Sequence, residues 1–125
     1  MEGKTYGGKI NIDKELWKKI VSDDKITDQK TREILYILLD SDGYAERGGK
    51  IGDILRIKHN ALNGIITAFV WRILYKYPEI ICPKYKNGKE SRCLVPFQGE
   101  KRKNGSYWIL RPELAEALKE MPRIE

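Results

Sequence analysis

The apolar residues of this chain change period at Pro78, which limits it to a helical part followed by a β part. Before Pro78 they recur every third or fourth residue, as on one side of a helix; after it they form short extended runs between turns. Proline disfavours helical backbone in the residue before it, so the helical part ends near Lys76. With 125 residues, 41% of them hydrophobic, there is material for one core and too little for two. The expectation is a single α+β domain over residues 1–125.

Local signals place the elements. Asp13 offers an N-cap to a short helix carrying Leu16, Trp17, Ile20 and Val21 and ending near Ser22, Asp23 and Asp24. Thr27 and Asp28 start a second helix to about Asp40, with Ile34, Leu35, Ile37, Leu38 and Leu39 inward and Lys30, Arg32 and Glu33 facing water, stopped by Ser41, Asp42 and Gly43. Residues 50–57 read as a two-turn helix with Ile51, Ile54 and Leu55 on one face. After a break at Lys58 and His59, Asn60 caps a longer helix over 60–76, with Leu62, Ile66, Phe69, Val70 and Ile73 inward and Asn60, Asn63, Gly64, Thr67 and Trp71 on the opposite line.

Beyond Pro78, Asn87 and Gly88 are the favoured pair for a tight hairpin turn between residues 80–86 and 89–97. That register sets Cys82 opposite Cys93, Ile81 opposite Leu94 and Ile80 opposite Val95. A loop over 98–106, a strand at 107–110, and a short helix opened by Pro112 with Leu114, Ala117 and Leu118 inward complete the reading. Residues 1–27 form an N-terminal extension, 28–110 the core and 111–125 the C-terminal helix.

Several classes are set aside. No run of 18 uncharged apolar residues could span a membrane, and the N-terminus lacks the apolar block of a signal peptide, so a cytoplasmic location is expected. One histidine, His59, and two cysteines argue against a structural metal, and no cofactor is expected. Asp23, Asp24, Asp40 and Asp42 sit at helix ends, where capping accounts for them. Gly48, Gly49 and Lys50 lack the spacing of a phosphate loop, and no serine or cysteine has a histidine partner. The chain reads as non-enzymatic.

The order helix, short helix, turn, longer helix and basic hairpin resembles the winged helix-turn-helix family of DNA-binding domains. Ile51, Ile54, Leu55 and Ile57 stand at the apolar positions of the first helix of that motif, and Leu62, Ile66 and Phe69 at those of the second. The resemblance covers roughly residues 28–110. It implies helices followed by a β-hairpin or three-stranded meander, a double-stranded DNA partner, and a role in transcription regulation, with helix 60–76 in the major groove. Either the Asn87-Gly88 turn or the 98–106 loop is the candidate wing.

Charge points the same way. The net charge is +6, and residues 79–105 hold Lys84, Lys86, Lys89, Arg92, Lys101, Arg102 and Lys103 against Glu79, Glu90 and Glu100. Cations at a protruding turn neutralise phosphates and release counterions. Asn60, Asn63 and Thr67 have the reach and polarity for base edges, Gly64 would let the helix backbone approach a groove, and Lys58 and His59 stand at the positive end of the helix dipole. Plainer explanations are available: Asn60 as a cap, Asn63 and Thr67 as solvated residues, Gly64 as room for a packed neighbour, and the basic turns as aids to solubility. Two further readings remain open. Trp71 and Trp108 could form a pocket for a modified base, as in reader domains attached to restriction endonucleases, or the same fold could dock an acidic protein. A homodimer through helix 13–23 with Trp17, or through the C-terminal helix, is also expected to be possible.

Overall fold

The computed structural model describes residues 5–84 and 94–123. In chain order these form β1 (Thr5–Tyr6), α1 (Lys14–Ser22), α2 (Gln29–Leu39), a 3-10 turn (Asp42–Tyr44), β2 (Ala45–Arg47), α3 (Gly48–Leu55), α4 (His59–Lys76), β3 (Phe97–Arg102), β4 (Gly105–Leu110) and α5 (Pro112–Glu120). The protein is thus α+β, with five helices and a three-stranded antiparallel sheet in the order β3-β4-β2; the two residues of β1 extend it along the outer edge of β3.

Helix starts follow their caps. The Asp13 carboxylate accepts the Leu16 N–H at 2.8 Å and the Asp28 carboxylate accepts the Thr31 N–H at 2.9 Å, each satisfying a donor that the first helical turn leaves unpaired. Most of the residues expected to face inward do so, with Leu16, Ile37 and Leu39 half-buried. Trp17, Ile20 and Val21 of α1, Ile34, Leu35 and Leu38 of α2, Leu62, Ile66, Phe69, Val70 and Ile73 of α4, and Leu114, Ala117 and Leu118 of α5 join Phe97 and Leu110 of the sheet in one buried cluster. Each such aliphatic or aromatic side chain contributes about 1.5–3 kcal/mol by leaving water, which is what holds α1 and α5 onto the rest.

Five expectations are corrected. Arg32 is buried rather than solvated: its Nη2 donates to the Val21 carbonyl at 2.9 Å and to Asp24 at 2.7 Å, satisfying a carbonyl in the last turn of α1 that has no helical partner. Ile54 is 54% exposed, because the inward line of α3 is centred between Gly48, Ile51 and Gly52 and Ile54 lies beyond its edge. Helix α4 begins at His59 with Lys58 as N-cap and no side-chain cap bond, so Asn60 lies inside the helix and does not cap it. Trp17 is fully buried and presents nothing to a second copy.

The fifth concerns the β part. The expected loop over 98–106 is a hairpin: β3 pairs with β4 from Phe97↔Leu110 to Arg102↔Gly105, leaving Lys103 and Asn104 as its turn. Gly105, at φ +129, supplies the backbone freedom the reversal needs. Meanwhile residues 80–83 form no strand and 94–96 lie in a turn, so the Ile80–Val95 and Ile81–Leu94 pairs are not formed; only an isolated bridge occurs at Lys84. Asn87, Gly88 and Cys93 lie outside the described residues.

Where residues 94–96 pass under the N-terminal segment, Arg111 supplies the polar contacts. Buried between β4 and α5, its guanidinium donates to the carbonyls of Leu94 (2.6 Å), Val95 (3.0 Å), Gly8 (2.7 Å) and Gly7 (3.0 Å). Burial pulls its pKa below the usual arginine value, with Glu113 opposing. Among the described residues no helix is long and apolar enough to cross a membrane.

Candidate nucleic-acid interface

The site is built on the junction of β2 and α3. Register places Arg47, the last residue of β2, opposite Tyr107 of β4, so Arg47 stands beside the β3–β4 turn. Its Nη1 donates to the Asn104 carbonyl in that turn at 3.3 Å, and its Cδ lies 3.5 Å from the point a β-carbon on Gly105 would occupy. The next residue, Gly48, opens α3 and is buried under the ring of His59, the first residue of α4; His59 Cε1 lies 2.9 Å from where a Gly48 β-carbon would be. Through the consecutive residues Arg47 and Gly48, therefore, the β3–β4 turn and the N-terminal end of α4 are each linked to the β2–α3 junction.

A tight turn sets the angle between α3 and α4. Arg56 takes left-handed backbone (φ 57), and the Ile57 N–H donates back to the Gly52 carbonyl at 2.8 Å. A β-carbon on Gly52 would stand 2.6 Å from the Ile57 carbonyl oxygen, so glycine is required there by close backbone approach. Arg56 and Lys58 are left exposed in this turn.

Along the outer edge of α4, Asn60 and Gly64 are exposed, and Asn63 and Thr67 are half-buried. A β-carbon on Gly64 would meet nothing within 4 Å, which removes the explanation that this glycine makes room for a packed neighbour. The edge then turns aromatic. Trp71 is 56% and Tyr75 89% exposed; with Ile26 and Lys25 they line a groove of about 570 Å³ closed at one end by the Lys76–Asp23 ion pair. The hydrogen bond in that pair raises the lysine pKa and lowers that of the carboxyl from their usual values. At 1.5 Å per residue this groove lies about 16 Å along the helix from Asn60.

At the end of β3 and in the turn, Lys101 and Lys103 are exposed, whereas Arg102 is half-buried, ion-paired with Glu100 and held 4.2 Å over the Tyr107 ring. Lys58, His59, Asn60, Asn63, Gly64 and Thr67 thus share the N-terminal half of α4 and the turn before it, and Lys101, Arg102 and Lys103 share the β3–β4 hairpin. Lys84 is exposed but on a different segment, and Lys86, Lys89 and Arg92 lie outside the described residues. Trp108 is half-buried and stacked on Phe97 at 5.0 Å between ring centroids; it lines no described cavity with Trp71. Sequence reasoning missed Arg47, Lys50 and Arg56. The signal for Arg47 was present in the second Asn-Gly pair, Asn104 and Gly105, which marks the turn beside it.

Among the described residues no group of three or more His, Cys, Asp or Glu side chains gathers as a metal site. No family model, curated protein or solved structure matches the chain.

Proposed function

We propose that this chain is a cytoplasmic winged helix-turn-helix protein that binds double-stranded DNA as a non-enzymatic transcription regulator. In this reading α3 and α4 are the helix-turn-helix, the N-terminal half of α4 enters the major groove, and the β3–β4 hairpin is the wing. The observation that supports it is the pair of contacts from His59 to Gly48 and from the adjacent Arg47 to the Asn104 carbonyl, which links α4 and the cationic turn through two consecutive residues. Lys58, Lys101 and Lys103 supply the phosphate contacts that give affinity without sequence preference. Asn60, with Asn63 and Thr67 beside it, supplies base readout, since asparagine pairs bidentately with adenine. Fluorescence anisotropy on duplex DNA tests this: log affinity should fall linearly with log salt. Lys101→Gln with Lys103→Gln should weaken all sequences alike and lower the slope by about two, whereas Asn60→Ala should alter preference among sequences. Absent or salt-insensitive binding contradicts the reading.

A further inference from the structure

A cavity of about 680 Å³ opens between the β3–β4 turn, β2, α3 and the end of α2. Its charged lining is Arg47, Lys50 and Arg102 with Asp40, Asp42 and Glu46. Most of these charges are matched. Lys50 lies 3.5 Å from Glu46, Arg102 pairs with Glu100, and Asp40 pairs with Arg123 at 2.8 Å. Arg47 differs from the rest: no described carboxylate lies within ion-pair distance of its guanidinium, whose one described hydrogen bond is the 3.3 Å contact to the Asn104 carbonyl, while its backbone N–H donates to Glu46 at 2.9 Å. A cation without a counter-charge beside a cavity favours an anionic ligand there.

We propose that Arg47 binds one backbone phosphodiester of the duplex in this cavity, an assignment that rests on the DNA-binding reading above. Arg47 stands between the two elements assigned to DNA, with the wing turn against its guanidinium and the Gly48–His59 contact directly following it. The planar fork of a guanidinium fits phosphate oxygens, and Arg47 is a lining cation without a described carboxylate partner. The Asp42 carboxylate in the same lining favours a diester, with one negative charge, over a phosphate monoester with nearly two.

The test uses the full chain and duplexes in which single phosphates are replaced, one at a time, by neutral methylphosphonates. For the wild type, one linkage should lower affinity about tenfold, as loss of a charge-assisted contact does. Arg47→Ala should be insensitive to that linkage and show a salt slope smaller by about one. Arg47→Lys should keep the slope but bind more weakly than wild type, a result that separates charge from fork geometry and remains readable if Arg47→Ala folds poorly. If both variants lose as much as the wild type at every neutral linkage, the assignment is overturned while DNA binding itself stands; if the wild type does not bind duplex, the function reading has failed first. Saturable stabilisation of the free wild type by inorganic phosphate below millimolar concentration, lost in Arg47→Lys, would assign the site to a free phosphate ligand and overturn the diester.

Discussion

The His59 ring rests on Gly48, with its Cε1 2.9 Å from the position a β-carbon would take, so the first residue of α4 is seated directly on the first residue of α3. That contact, rather than the short α3–α4 turn alone, fixes where the N-terminal end of α4 points relative to the wing.

Two alanine substitutions separate these roles. In Gly48→Ala the new methyl meets the far end of an exposed side chain, which swings away; stability should change by less than about 1 kcal/mol while duplex affinity falls several-fold. In Gly52→Ala the methyl meets the Ile57 carbonyl at 2.6 Å, backbone that cannot move without opening the turn. A loss of about 1–3 kcal/mol in urea denaturation is expected there.

Gly64→Ala should move two readouts in opposite directions. The site is open space on an exposed helix, so alanine should stabilise the fold by about 1 kcal/mol. If α4 approaches a groove at this point, the same methyl should weaken duplex binding. A denaturation curve and an anisotropy titration on the one variant check both; stabilisation with unchanged binding would remove Gly64 from the interface.

The helix starts and inward stripes were legible because their causes are local: Asp13 and Asp28 cap the turns that follow them, and apolar spacing near 3.6 residues marks the buried face. Arg32 and Arg111 were not, because their partners are carbonyls at Val21, Leu94 and Gly8, brought near only by folding. The β3–β4 hairpin was missed because the charges of Glu100, Lys101 and Arg102 mask the alternation of β3, while the Asn87-Gly88 turn lies outside the described residues. Of the candidate site, the polar edge of α4 and the basic turn could be read directly. The contacts that link each to the β2–α3 junction could not, since His59 meets Gly48 and Arg47 meets Asn104 only across the fold.

Acid should loosen the packing of α5 on α1. Glu120 accepts from Lys14 and Lys18, both at 2.8 Å, and these two hydrogen bonds lower its pKa to about 2 from the usual 4.5. A carboxyl depressed in the folded state contributes its stabilisation fully above pH 4.5 and loses it as pH falls through about 2. Wild type and Glu120→Gln should therefore differ in urea midpoint at pH 7 and converge as pH approaches 2. A constant difference at every pH would show that the pair contributes nothing through charge.

Arg111→Lys should be poorly tolerated despite keeping the charge. A single ammonium cannot reach the Leu94, Val95, Gly7 and Gly8 carbonyls that the guanidinium spans, and buried acceptors left unpaired should cost about 2–4 kcal/mol in thermal or chemical denaturation.

The most direct measurement is a duplex-DNA titration of the isotopically labelled chain followed by amide chemical shifts. Asn60, Gly64 and Thr67, the wing residues Lys101, Lys103 and Asn104, and Arg47 with Gly48 should shift together along one saturation curve, leaving the outer faces of α1 and α5 unmoved. Shifts confined to α1 and α5, or wing and α4 responding with separate midpoints, would contradict a single DNA-binding face.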